Sequence, residues 1–594
     1  MLLQNILFPQ YGICSEYDLY FRMDDNYNYS FQNQTVSMDS SGWVHFDTYF
    51  NGFIKNKWSK YTKLKNLYLE LELEGNVRIT LLNKFRERDG LVTNKRLDEI
   101  EVNYPTRKTL KIPFKQFDEA GMYTFSLYAI SDGCIFYGGC YGTEIEPEEI
   151  SEVNLAICIC TFKREQFIKR NVANLEKAFL SDNKPDLPGH LHIFISDNGK
   201  TLSDVSNSPN VHIFPNKNVG GAGGFTRCLI EVLNRPELKI THALMMDDDI
   251  VLDPQVIQRT FAFLSILLPK FQDAFLGGAM LRLDKQYIQT ESGAVWNAGS
   301  LLSRKANLNL STCEGCLYND VVESCDYNAW WYCVTPMKYV TPANLPMPIF
   351  IRGDDVEYGL RNTEHLILLN GICVWHEPFE NKYSSMMYYY IFRNRLIDNA
   401  VRSIDYPIKR VIKDLTDQWT CEIRLCRYKN AHLLIDGVLD FLKGIEWLKS
   451  TDAEKLNQSV LSKGYKLIPV NELDFKFQYA DLMIALGFRN PKDSVFMRFR
   501  IKYDLLRHDQ KLVIPAYDPN PRFCVNAKEI LNYDYASGKG FVTCYDKAQY
   551  NAEKGYFRKC VAELKKKYST MYSDYNEHNV ELTNLEFWNK YLIE

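Results

Sequence analysis

Val153-Asn154-Leu155-Ala156-Ile157-Cys158-Ile159-Cys160 is apolar at nearly every position, and the pattern returns in Leu191-His192-Ile193-Phe194-Ile195-Ser196 and Thr241-His242-Ala243-Leu244-Met245-Met246. A strand that is apolar on both faces belongs inside a mostly parallel sheet covered by helices. Helical segments separate these runs, so residues 151–400 are expected to form an α/β domain.

On the N-terminal side the period changes. Leu67-Tyr68-Leu69-Glu70-Leu71-Glu72-Leu73, Val77 to Leu82 and Tyr123 to Ile130 alternate with period two and are broken by Gly, Asp and Asn. Such runs predict antiparallel strands, and residues 1–150 are expected to form a β-sandwich. On the C-terminal side apolar positions recur every three or four residues, as in Ala431 to Lys443, so residues 401–594 are expected to be mostly helical. A capping box is expected at Thr451 to Glu454 and a short two-stranded element around Ala536 to Val542. Arg558 to Tyr568 reads as a basic amphipathic helix without the large apolar face of a membrane anchor.

At 594 residues the chain exceeds what one core supports, which agrees with several domains. Its formal net charge of −4 argues against a nucleic-acid partner. No apolar run is long enough to cross a bilayer and Met1 to Phe8 does not read as a signal peptide. A cytoplasmic protein is expected, at most peripheral at the inner face of the plasma membrane. The 16 Cys lie mainly in apolar contexts, as reduced thiols do. Cys313, Cys316, Cys325 and Cys333 offer a zinc alternative, but the second pair lacks the close spacing of a zinc ribbon.

Four features carry chemistry. Asp247-Asp248-Asp249 ends an apolar strand; in extended backbone Asp247 and Asp249 project to one side and would repel unless a divalent cation lay between them. Asp253-Pro254 starts a helix just beyond, with Asp253 as cap. Asn218-Val219-Gly220-Gly221-Ala222-Gly223-Gly224 precedes a helix and allows close approach of an anion, or is a plain turn. Asp354 and Asp355 open Asp354-Asp355-Val356-Glu357-Tyr358, where a carboxylate serves as general base or merely complements a helix N-terminus. His376 ends another apolar strand and is either a structural residue or a metal ligand.

Taken in order, Thr161-Phe162-Lys163-Arg164, Ser196-Asp197-Asn198-Gly199, the Asn218 loop and the Asp247 triplet resemble family-2 glycosyltransferases of the GT-A fold. Phe46 to Asn51, Tyr327 to Cys333, Asp354 to Arg361, Val374 to His376 and Phe392 to Arg395 are similar to the bacterial galactofuranosyltransferases that elongate galactan with UDP-galactofuranose. The resemblance implies that Thr161, Arg164, Asp197, Asn218 and Asp247 hold the uridine diphosphate, and that Asp247, Asp249 and His376 bind Mn2+ or Mg2+. It further implies Asp355 as the base, with Trp330, Trp331 and Asp354 beside the acceptor. The expected reaction is inverting transfer from a UDP-sugar, galactofuranose first and a hexopyranose second, to a glycan or lipid-linked glycan, by an enzyme that assembles as a homo-oligomer. Two departures lie on the acceptor side: Gly353 stands where the galactan enzymes carry a bulky aromatic, and Leu301 to Cys325 diverges.

Two rivals come from other classes. A glycoside hydrolase would pair Asp355 with Glu357 and need neither the triplet nor the nucleotide loop. A glycan-binding scaffold would use the N-terminal strands and leave the α/β unit inactive.

Overall fold

The computed structural model describes residues 1–87, 89–180, 190–478 and 509–593. In the N-terminal part four strands dominate: β1 (Tyr68–Arg86), β2 (Val92–Pro113), β3 (Met122–Ala129) and β4 (Cys134–Gly142). The first half of β1 pairs with β4 and its second half with β3, while β2 follows nearly its whole length. Phe125 lies opposite Leu81 and Phe136 opposite Leu73, eight residues apart on β1. A straight strand would separate them by about 26 Å, yet the two rings are 6.1 Å apart. The strand must therefore crease between them, and Gly75, at φ +98°, lies in the crease with no room for a Cβ beside Cys134. One ten-stranded antiparallel sheet folds onto itself and supplies both layers of the expected β-sandwich. A single glycine inside an alternating run carried too weak a signal to show it.

The central sheet has nine strands. Strands β5 (Leu155–Thr161), β6 (Leu191–Asp197), β7 (Val211–Pro215) and β8 (His242–Asp247) run parallel in the order β7-β6-β5-β8. Beyond β8 the sheet turns mixed: β9 (Phe275–Arg282) is reached through antiparallel β10 (Cys333–Pro336) and pairs in parallel with β11 (Leu366–His376). Register places Thr161 opposite Asp197 and Cys160 opposite Asp247. Three of the expected polar residues thus sit side by side at the carboxyl ends of parallel strands, where open α/β sheets bind ligands.

Helix α1 (Gly220–Leu233) begins inside the glycine run itself. Helix α2 (Gln255–Ser265) starts one residue later than expected, but Asp253 still caps it, its Oδ1 accepting the Gln255 N–H at 2.9 Å. Helix α3 (Asp354–Asn362) opens on the Asp pair, and α4 (Met386–Val401) contains Phe392 to Arg395.

The C-terminal part is helical as far as Lys463, then adds a four-stranded sheet of Ile468–Pro469, Gln510–Pro515, Ala527–Asp534 and Lys539–Cys544. The expected two-stranded element is the central hairpin of this sheet; of the outer strands, Ile468–Pro469 is only two residues long and Gln510–Pro515 pairs with Ala527–Asp534 in parallel, so no hairpin turn announces it. Of the helical expectation, residues 479–508 lie outside the described residues. The cap at 451–454 is Asp452, not Thr451: its Oδ1 accepts the N–H groups of Glu454 and Lys455 at 3.1 Å each. The basic stretch lies on α5 (Lys547–His578) with Cys560, Leu564 and Tyr568 buried in the core it shares with α4, so its apolar side is already covered. Among the described residues no helix is long and apolar enough to cross a membrane.

Candidate active site

The triplet is set by the strand that carries it. Asp247, Asp249 and His376 each offer a ligand atom within 4.8 Å of the others, the one such group of metal-ligating side chains among the described residues. Cys313, Cys316, Cys325 and Cys333 form no such group and are free thiols. His376 is brought to the triplet by a β-bridge between Val251 and Trp375, with N–H to O distances of 2.8 and 2.9 Å in the two directions. Trp375 is in turn held by Phe50, whose ring centroid lies 5.8 Å away. The carbonyl of Phe50 accepts from Arg259 at 2.7 Å. The Phe46 to Asn51 motif is therefore the seam that seats the N-terminal sheet under the histidine strand.

The histidine geometry fits a cation. Its Nδ1 lies 2.7 Å from the Glu377 carbonyl, and a carbonyl can only accept. Nδ1 is therefore the donor of that contact, which leaves Nε2 to face the carboxylates. Two carboxylates and one imidazole suit Mn2+ or Mg2+.

Asp248 lies in the bend that follows β8. Its oxygens accept from Thr161 Oγ1 at 2.7 Å and from Arg164 at 2.8 Å. The same Arg164 nitrogen lies 2.8 Å from Asp249, which also pairs with Lys382 at 2.6 Å and His376 at 3.3 Å. Burial would raise the Asp249 pKa, but these partners, His376 first, hold it well below the usual carboxylate range. Asp247 is pushed up to about 6 by burial, with the neighbouring aspartates adding to the rise and His376 opposing it. The adjacent carboxylates therefore differ sharply in how easily they ionise, a pattern common at functional sites.

The glycine run is a packing device as well as a loop. A Cβ at Gly220, φ +73°, would sit 2.1 Å from the Phe350 carbonyl oxygen, and one at Gly224 would sit 2.1 Å from Cys160 Sγ. The Ala222 N–H donates to the Phe350 carbonyl at 3.2 Å. Gly221 passes the Asp354 carboxylate closely enough that its Cβ would lie 3.3 Å away. The Asn218 side chain accepts from the Gly220 N–H at 3.3 Å. Asp197 accepts from the N–H groups of Gly199 and Leu202 at 3.1 and 2.8 Å, so in this structure its carboxylate shapes the turn after β6.

Residues 350–353 meet this loop from the other side. Phe350, Arg352 and Gly353 all have positive φ, of 76°, 65° and 102°, conformations that persist only when their surroundings enforce them. The enforcement comes from α4. Asn394 Nδ2 donates to the carbonyls of Ile349, Ile351 and Arg352, and Arg393 donates to that of Ile349. The Phe392 to Arg395 motif is thus a clamp on the loop that presents Asp354 and Asp355.

Asp354 is buried and pushed up to about 8 by that burial, then by the charge of Asp355. Asp355 is half-buried and also raised, mainly by burial, while its Oδ1 accepts its neighbour Val356 N–H at 2.9 Å. Glu357 is buried and pairs with Arg361 at 2.9 Å, leaving it poorly placed as a second acid of a hydrolase. Trp331 donates to the Gly278 carbonyl at 2.9 Å, and Trp330 packs on Phe225 and Tyr358. Both indoles are buried, so the structure keeps them against protein rather than displaying an open stacking face.

Sequence reading missed three groups here. Lys382, six residues after His376, carried no motif. Glu291 is buried, accepts from Ser303, and is pushed up to about 7 by burial, with Asp355 adding to the rise. Asp398 is fully buried beneath Gly353, where a Cβ would lie 2.4 Å from its Oδ2. It therefore takes the space a side chain at 353 would need.

Glu291 gives a pH prediction. A raised folded pKa means the fold favours the protonated acid. That contribution is complete below the unfolded pKa of 4.5 and is lost as pH rises through about 7. Glu291→Gln removes the dependence, so the stability of the variant relative to the parent should rise by up to about 3 kcal/mol between roughly pH 5 and pH 9. Paired melts across that range check it, and a constant difference would reject it.

Residues 3–142 match the family model described as galactofuranosyltransferase 2 N-terminal. Galactofuranosyltransferase GlfT2 of Mycolicibacterium smegmatis is 24% identical over 604 residues, covering 93% of this chain and 89% of that protein. Galactofuranosyltransferase GlfT2 of Mycobacterium tuberculosis is 25% identical over 438 residues, covering 68% of this chain and 66% of its own length. Among solved structures, a Pyrobaculum calidifontis mannosyltransferase in complex with GDP-Man and Mn2+ is 11% identical. It covers 53% of this chain and 81% of that one at a TM-score of 0.27.

Proposed function

We propose, for a chain that is a galactofuranosyltransferase-like glycosyltransferase, that it moves galactofuranose from UDP to a hydroxyl of a cell-surface or lipid-linked glycan with inversion. The observation that carries the reading is the convergence of the Asp247, Asp249 and His376 group with the Asp354 and Asp355 loop, joined by the glycine run, within a relationship to galactofuranosyltransferases that spans most of the chain.

In this reading residues 151–400 are a GT-A catalytic domain between an N-terminal β domain, 1–150, and a C-terminal domain, 401–594. Asp247, Asp249 and His376 would hold Mn2+ or Mg2+, which supplies positive charge to the diphosphate leaving group. Arg164 and Asn218 face the diphosphate, with Thr161 aligning Arg164 through Asp248. Asp197 supports the uridine through the turn it shapes. Asp355 removes the proton from the acceptor hydroxyl as that oxygen attacks the anomeric carbon. Its raised pKa makes it a stronger base than an exposed aspartate. Asp354 lies between the donor loop and Asp355 and is suited, as a neutral acid, to donate a hydrogen bond to a sugar hydroxyl. Trp330 and Trp331 form the wall behind the acceptor.

The test is a donor screen that measures UDP release with UDP-galactofuranose against UDP-galactopyranose and UDP-glucose. Turnover with the furanose donor alone is expected; a preference for a pyranose donor would reassign the sugar. No turnover with any of them would remove the proposed donor class.

A further inference from the structure

Lys382 stands just beyond the short turn Phe379–Asn381 that follows β11. Its Nζ lies 2.6 Å from Asp249 Oδ2 and 3.1 Å from His376 Nε2. An ammonium can only donate, so in the second contact His376 Nε2 is the acceptor. The ammonium therefore sits on the same imidazole lone pair and the same carboxylate that a divalent cation would use, at about 2.0–2.2 Å. One lone pair cannot serve both.

Charge decides which partner leaves. Arg164 and Lys382 are the two basic side chains that pair with the aspartates of the triplet. A divalent ion neutralises Asp247 and Asp249, and Arg164 retains Asp248. Lys382 is then the surplus cation beside an ion of like sign. Its chain is flexible and about a quarter exposed, with 27% relative side-chain accessibility. The nearest new anion is the diphosphate that the ion itself attracts.

We propose that Lys382 is a displaceable counter-cation: it occupies the ligands of the cation site in the free protein and moves onto the donor diphosphate when the ion takes those ligands. The proposal rests on Asp247, Asp249 and His376 being that site. It makes ion binding and donor binding oppose and assist the same lysine, so that Mn2+ alone binds against competition whereas Mn2+ and the nucleotide bind together.

Titration of the full chain with Mn2+ alone, followed by UDP at saturating Mn2+, tests it. Lys382→Met should bind Mn2+ about threefold or more tighter than the parent, because the competing cation is gone. It should bind UDP about tenfold or more weaker in the presence of Mn2+, for want of one charge-assisted contact. Lys382→Arg should restore much of the UDP affinity. If Lys382→Met leaves Mn2+ affinity unchanged or weaker, or leaves UDP affinity unchanged, the proposal is overturned; Lys382→Gln provides the same readings should the methionine variant not fold. His376→Ala separates the underlying assumption, since Mn2+ binding that survives His376→Ala places the ion elsewhere and removes the site reading rather than the role of the lysine alone.

Discussion

Asp355→Asn should lower turnover by about 10²- to 10⁴-fold, the usual worth of a general base, while UDP affinity changes by less than about twofold. The carboxylate stands at the first turn of α3, and its Oδ1 accepts the Val356 N–H. An asparagine keeps that acceptor and the volume but cannot take a proton. The fold should therefore persist, and isothermal titration with UDP next to initial rates of UDP release separates the two quantities. Loss of UDP binding in step with turnover would mean that Asp355 belongs to the donor site instead. The corresponding variant of Glu357 should behave differently, because Glu357 is buried against Arg361. Its loss leaves Arg361 with the Asn344 side chain and the Leu345 carbonyl but no carboxylate, and should reduce stability before it reduces chemistry.

Chelation of divalent ions should suppress UDP release by about 10³-fold and Mn2+ should restore it. Without the ion, Asp247 and Asp249 oppose the diphosphate with unit charges, each worth about 4 kcal/mol at 4 Å and an effective dielectric of 20. One such unfavourable pair corresponds to about three decades. Arg164 and Lys382 offset part of this in the free protein, since both already pair with Asp249. His376→Ala should reproduce the effect of chelation and should also abolish the rise in melting temperature that Mn2+ gives the parent. Activity that withstands chelation and persists in His376→Ala would remove the ion from the mechanism.

The parallel half of the central sheet was legible because strands buried on both faces must be apolar throughout, as at Val153 to Cys160. The direction of each triplet carboxylate was not legible from strand alternation, because β8 ends at Asp247 and the chain bends through Asp248 and Asp249, where one Arg164 nitrogen meets both. Long-range contact was not legible. Nothing local to His376 announces the bridge from Trp375 to Val251, and nothing local to Asn394 announces three carbonyls some forty residues upstream. The crease at Gly75 escaped for a related reason: a glycine in an alternating run has the same composition whether the strand stays straight or folds over. Lys382 escaped because a lone lysine has no pattern; only the chemistry of the atoms around it distinguishes it.

The contact between the Gly220 backbone and the Phe350 carbonyl bears on how such a chain changes over time. With no room for a methyl group on one side and three left-handed residues clamped by Asn394 on the other, a mutation in either loop is felt by both. Residues 218–224 and 349–355 should therefore drift as a unit or not at all. Collections of natural variants should show paired changes across these two loops, each substitution in one matched by an accommodating one in the other.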